Sequence, residues 1–132
     1  MGVRELRVAL TVDDLDGALS LYRDALGMPE LEAWSSEDGR VVILDAGRAT
    51  LELLDRRHAA AVDEIEVGRM GVAGDVRFAI EVDDSEAVAD RLVEAGAQPV
   101  AGPVVTPWRH RNVRVAAPDG MQLTLFTVLD AE

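Results

Sequence analysis

Apolar and polar residues alternate along the first segment of the chain. Leu6, Val8, Leu10 and Val12 fall on one side, and Glu5, Arg7, Ala9 and Thr11 on the other. A period of two is that of a half-buried strand. The period then changes. Leu15, Leu19, Tyr22 and Leu26 recur at the spacing of an amphipathic helix, with Asp14 placed to cap its start and Gly27 to close it. Two or three strands are predicted next, around Leu31–Ser35, at Arg40–Asp45 and at Ala49–Leu54, with Asp45-Ala46-Gly47 as the turn between the last two.

The same order returns in the second half. Val8-Ala9-Leu10-Thr11-Val12-Asp13-Asp14 is matched seventy positions later by Phe78-Ala79-Ile80-Glu81-Val82-Asp83-Asp84. A strand is expected at Val76–Val82. A helix follows from about Ser85 to Ala95, with Val88, Leu92 and Ala95 on its apolar face and Gly96 at its end. Gln98–Thr106 reads as an edge strand, because Pro99 and Pro103 cannot donate to a ladder. Asn112–Ala116 and Gln122–Val128 form a last hairpin through the turn Ala117-Pro118-Asp119-Gly120. Residues 56–74 show no alternation. They hold an alanine-rich acidic stretch and Gly68, Gly71 and Gly74, the pattern of a linker with room for a short helix.

Each half is therefore β-α-β-β-β, and the class is α+β. A repeat of this length is too long for a solenoid unit and too short for two independent domains. The chain reads as a single domain of two modules, about 1–56 and 75–132, joined by a linker at about 57–74. One sheet face is expected to pack under the helices, leaving the other open, with any site where the halves meet.

Composition narrows the function. The 132 residues suffice for a core, and the absence of cysteine removes disulfides and thiolate chemistry. The 25 acidic residues against 13 basic ones leave a formal charge of −12, which excludes nucleic acid as the expected partner. All the basic residues are arginines, so Schiff-base and P-loop lysine chemistry is excluded as well. No stretch approaches the roughly 20 apolar residues that span a bilayer, and Arg4, Glu5 and Arg7 interrupt any leader-like run. A soluble cytoplasmic protein with no membrane partner is the expectation.

The open sheet face would present Arg7, Ala9 and Thr11, then Thr50, Glu52 and Leu54, from the first half. The second half adds Arg77, Ala79 and Glu81, then Gln122, Thr124 and Phe126. Alternation alone fits a lined cavity and a solvent-facing exterior equally well.

Two stretches carry a resemblance. Val12-Asp13-Asp14-Leu15 followed by Tyr22-Arg23-Asp24-Ala25-Leu26-Gly27-Met28 resembles the opening of the vicinal oxygen chelate superfamily, which includes glyoxalase I, bleomycin-resistance proteins and extradiol dioxygenases. Pro107-Trp108-Arg109-His110-Arg111-Asn112 with Pro118-Asp119-Gly120 resembles its closing part. The resemblance covers nearly the whole chain. It implies tandem βαβββ modules forming a curled mixed sheet around a cleft, with helices on the outer face, often in a homodimer. In the metal-using members, four inward positions on first and last strands hold a divalent ion through His, Glu or Gln. Those positions correspond here to Arg7, Glu52, Arg77 and Thr124. Only Glu52 is an ordinary ligand, since a guanidinium has no lone pair to offer. The expectation is no metal and no cofactor, as in bleomycin-resistance-like members that lack the ligands.

Arg7, Glu52 and Arg77 then allow two arrangements. Either the arginines fork a carboxylate or phosphate, or Glu52 satisfies both in a closed ionic network. His110 and Glu52 are the candidate acid–base groups, although a histidine between two arginines also fits a surface loop. Trp34 and Trp108 suit the walls of an apolar ligand site, and equally packing or a dimer interface. His58 receives no role. The Asp13-Asp14 and Asp83-Asp84 pairs are read as helix caps rather than acid dyads. The function expected is metal-independent binding of an unidentified small molecule, for resistance or sequestration. The alternative is a glyoxalase- or dioxygenase-like lyase, isomerase or oxygenase, with relocated metal ligands or with His110 and Glu52 as its acid–base groups.

Overall fold

The structure, a computed structural model, describes residues 2–72, 74–118 and 120–130. The first half runs β1 (Glu5–Thr11), α1 (Leu15–Leu19), a π-helical turn (Ser20–Ala25), β2 (Glu30–Ser36), β3 (Gly39–Asp45) and β4 (Thr50–Leu54). Helix α2 (Arg56–Val67) follows. The second half runs β5 (Val76–Glu81), α3 (Ser85–Glu94), β6 (Gln98–Val105), β7 (His110–Ala116) and β8 (Gln122–Val128). The expected turn before β8 and the expected module limits include residues 1, 73, 119, 131 and 132, which lie outside the described residues.

Among the described residues, eight strands form one mixed sheet in the order β2-β3-β4-β1-β5-β8-β7-β6. The two first strands, β1 and β5, pair antiparallel at its centre, and each pairs in parallel with the last strand of its own module. The proline-bearing strand β6 lies at an edge, where the missing N–H groups of Pro99 and Pro103 disturb least.

Helices α1 and α3 cover the outer face. Asp14 and Asp84 cap them, accepting from the backbone N–H groups of Gly17 and Ala87 at 2.9 and 3.1 Å. Beneath α1, Leu15 and Leu19 pack with Val42, Leu44 and Leu53; beneath α3, Ala89 packs with Val82, Val115 and Leu125. Two expected apolar positions differ. Leu26 is exposed, because the π-helical turn, in which the N–H of Leu26 donates to the carbonyl of Leu21 at 2.9 Å, breaks the 3.6-residue phase of the stripe. Ala95 is exposed beyond the end of α3, and Ala97 packs into the cluster instead.

The largest departure is α2. The segment read as a linker is a twelve-residue helix capped by Asp55, and it packs against β3, β4, β6 and β7 on the concave face, not with the outer helices. Val62 meets Ala9, Val41 and Leu54. The small side chain of Ala9 at the sheet centre makes room for that approach. Among the described residues, no helix is long and apolar enough to cross a membrane.

The start of α2 is pinned at Gly39. A Cβ there would lie 2.5 Å from the backbone nitrogen of His58 and against the Asp55 carboxylate, and φ is +98°. Gly47 has a similar φ of +87° with open space around it. Gly47→Ala is expected to cost about 1 kcal/mol of left-handed strain. Gly39→Ala should cost at least about twice that, because the helix start must shift as well. Paired urea titrations check this difference.

Candidate functional site

Strand register gathers the inward residues. Ala9 on β1 faces Glu52 on β4 and Arg77 on β5; one row along, Arg7 faces Thr50 and Ala79, and Ala79 faces Thr124. Arg114 pairs with Thr124 across β7 and β8, and Asn112 pairs with Phe126. Since side chains alternate, all of these share the concave face.

Over that face lies an ionic network centred on Arg114, whose side chain is fully buried. Its guanidinium donates to Glu66 at 2.8 Å, to Asp63 at 3.2 Å and to Thr124 Oγ1 at 3.2 Å. Thr124 in turn donates to Glu66 Oε1 at 3.0 Å, and Asn112 Nδ2 donates to Glu66 Oε2 at 2.9 Å. The backbone N–H of Val72 donates to Asp63 at 2.7 Å. Both acids come from α2, so these bonds tie the helix across the sheet. Sequence reasoning missed this cluster. Its signal was Arg114 at a concave position of β7, together with acids in a stretch read as a linker.

Between α2 and the sheet is a cleft of about 390 Å³. It brings together every residue singled out from the sequence: Arg7, Glu52, Arg77 and Thr124 on its floor, and Trp34, Trp108 and His110 toward its mouth. Trp34 and Trp108 remain 63% and 38% exposed, so they form a rim rather than a core. His58, Ala61, Val62, Ile65 and Glu66 supply the roof from one stripe of α2.

The closed Arg7–Glu52–Arg77 network does not form. Arg7 sits one row away from Glu52, and its guanidinium turns to Glu5 on its own strand at 3.0 Å. Glu5 also accepts from Thr50 Oγ1 at 2.5 Å. Arg77 approaches Glu52 only to 3.9 Å, beyond hydrogen-bonding range, and the one hydrogen bond of its guanidinium among the described residues is to Thr124 at 3.3 Å. A guanidinium that is nearly buried and so loosely paired retains N–H donors that these two contacts do not use.

His110 is not a loop residue. It opens β7, faces the cleft and stacks on Phe126 with ring centroids 4.7 Å apart, while Arg7 lies over the Phe126 ring at 5.2 Å. Burial pushes the His110 imidazole down to about 4, Arg7 adds to the lowering, and Glu66 and Glu5 oppose it. His58, to which the sequence assigned no role, is 8% exposed on the roof. Burial lowers its pKa too, against the pull of Glu52 and Asp55. Both shifts favour the neutral ring.

The floor does not fit a divalent metal. Two of the four relevant positions are arginines, and the hydroxyl of Thr124 is already engaged with Glu66, Arg77 and Arg114. Glu52 alone offers an anionic ligand there, and two cations would repel the ion. Among the described residues no group of three or more His, Asp or Glu side chains is placed to hold a metal.

The family model for the Glyoxalase/Bleomycin resistance protein/Dioxygenase superfamily matches residues 6–125. A hypothetical protein from Bacillus halodurans C-125 is similar in structure, with a TM-score of 0.72 at 16% identity, covering 100% of this chain and 99% of that one. Methylmalonyl-CoA epimerase from Mycobacterium tuberculosis gives 0.68 at 21% identity over 97% and 90% of the two chains. A glyoxalase/bleomycin resistance protein/dioxygenase superfamily member from Vibrio splendidus 12B01 gives 0.63 at 19% identity over 96% and 99%. No curated protein matches the sequence.

Two outcomes are expected. Arg114→Met strands Glu66 and Asp63 and should cost about 3–5 kcal/mol, with much of it recovered when Glu66→Gln and Asp63→Asn are added; denaturant midpoints read this. The second concerns acid. A histidine whose folded pKa is lowered binds its proton more weakly in the native state, so stability falls as pH drops from about 6.5 toward about 4. His58 acts in the same direction. His110→Leu should flatten the pH dependence of the urea midpoint across that window, relative to the unsubstituted protein.

Proposed function

We propose that this chain, which belongs to the glyoxalase/bleomycin resistance protein/dioxygenase superfamily, binds a small organic anion in the cleft between its modules, without a divalent metal. The observation that carries this reading is Arg77. Its side chain is 9% exposed, its nearest carboxylate is 3.9 Å away, and it lines the floor of an open cleft. Burying a charge is unfavourable unless it is paired, and a ligand carboxylate or phosphate would complete the pair in a fork.

The acidic surplus of the chain does not contradict this. The carboxylates beside the cleft that lack a close cation, Glu32, Glu37 and Asp38, are exposed at the rim and screened by water. At the buried floor charges act more strongly, and there Arg77 has N–H donors that Glu52, 3.9 Å away, does not take up. Binding is favoured over acid–base catalysis because His110, with a pKa of about 4, is a weak base at neutral pH. In this reading the protein is a cytoplasmic homodimer that sequesters its ligand, each copy carrying a complete cleft of its own residues.

Thermal-shift and calorimetric titration with a panel of small carboxylates and phosphate monoesters tests this. Stabilisation should survive exhaustive chelation, and Arg77→Met should weaken binding roughly 10- to 100-fold, the range for a charge-assisted hydrogen bond. Binding that requires an added divalent metal, or that is unchanged in Arg77→Met, would refute the proposal.

A further inference from the structure

Charge is not spread evenly along the cleft. Strand register places Glu32, Ile43, Glu52, Ala9 and Arg77 in one row across β2, β3, β4, β1 and β5. The row runs from an exposed carboxylate on the edge strand to a guanidinium on the buried floor. Glu37 and Asp38, in the turn after β2, also line the cleft and extend its acidic end. Among the described residues no ion pair engages any of these three acids. Other exposed acids do find arginines: Glu30 meets Arg23 at 3.2 Å, and Asp16 meets Arg40 at 3.1 Å.

The same end is aromatic. Glu32 and Trp34 alternate along β2, so they share its inward face. All seven residues of β2 are exposed, and Trp34 keeps 63% of its surface open. Strands β2 and β6 are opposite edges of the sheet. Because the sheet curls, Trp34 on the one and Trp108, in the turn after the other, line a single cleft. An exposed indole beside such carboxylates suits an organic cation, since the ring face and the carboxylate both attract positive charge. Water screens these acids from an anion on the floor, but not from a cation in contact with them. The span is short enough for one molecule. Glu32 lies two strand spacings from Glu52, about 10 Å, and Glu52 is 3.9 Å from the Arg77 guanidinium.

We infer that the ligand is amphoteric: an organic acid that carries an ammonium group about 10 Å from its anionic group, two strand spacings away. The anionic group lies on Arg77, the apolar chain follows the row past Ile43, and the ammonium rests at the mouth between the Glu32 carboxylate and the face of Trp34. This rests on the anion-binding reading above and adds a second charge, of opposite sign and at a set distance, that separates one class of acid from others.

Two matched pairs of probes test it by calorimetry. In the first, 8-aminooctanoate, whose extended chain separates its charges by about that span, is compared with nonanoate, which has a methyl group in place of the ammonium. The unsubstituted protein should bind 8-aminooctanoate about fivefold tighter or more. Glu32→Gln should cut that preference about threefold without weakening nonanoate, and Trp34→Leu should cut it as well. In the second pair, 4-aminobutanoate, whose charges are much closer together, should gain nothing over pentanoate. Both substitutions are at exposed positions, and unchanged urea midpoints check that the fold is kept. Should either variant fold poorly, NMR of the unsubstituted protein gives an independent readout: the Trp34 indole N–H resonance should move further with 8-aminooctanoate than with nonanoate. Nonanoate binding as tightly as 8-aminooctanoate would overturn the inference and leave anion binding intact. A preference untouched by both substitutions, or an equal preference for 4-aminobutanoate over pentanoate, would do the same. So would failure of all four probes while other carboxylates or phosphate monoesters bind. Failure of every anion tested would overturn both.

Discussion

The structure is organised around one buried cation. Arg114 projects from β7 into the concave side of the sheet, where water cannot solvate it, and a buried guanidinium is tolerated only among matched acceptors. It finds them on α2, in Asp63 and Glu66. The two acids exceed the one cation, and the excess is met by neutral donors from Val72, Asn112 and Thr124. This requirement brings the segment between the modules back over the sheet as a roof. Once α2 is there, Val62 packs on Ala9 and the space beneath becomes a cleft with buried walls.

The roof also breaks the symmetry of the fold. The modules place Arg7 and Arg77 at corresponding points, yet the two differ in environment. Arg7 has Glu5 two residues back on its own strand and is satisfied locally. The matching acid two residues before Arg77 is Asp75, but it is exposed and accepts from Arg56 at the start of α2, at 2.9 Å. The nearest carboxylate left to Arg77 is Glu52 on β4. One arginine is structural, while the other keeps donors in reserve. The electrostatic asymmetry of the cleft comes from what the roof recruits, not from the repeat itself.

Much of the scaffold was legible in the chain. Alternation placed β1, β3, β4, β5, β7 and β8 within one or two residues of their observed limits, and it put Arg7, Glu52, Arg77 and Thr124 on a common face. Asp14 and Asp84 cap helices as their position implied. Leu26 was misplaced because a π-helical turn changes the phase without marking the composition. His58 and Glu66 were unassigned because a helix of mixed composition does not announce which side it will bury. The ionic partners were misjudged because alternation gives the face of a residue but not its row, and one row separates Arg7 from Glu52.

Local periodicity and side-chain chemistry are enough to fix the modules, their faces and the two arginines on the inner one. Which charges meet, and what closes the cleft, emerge only on folding. Those outcomes depend on contacts between residues about fifty positions apart, such as Arg114 with Asp63 and Glu66. Burial then sets their strength, since the same arginine is inert in water and decisive where water is excluded.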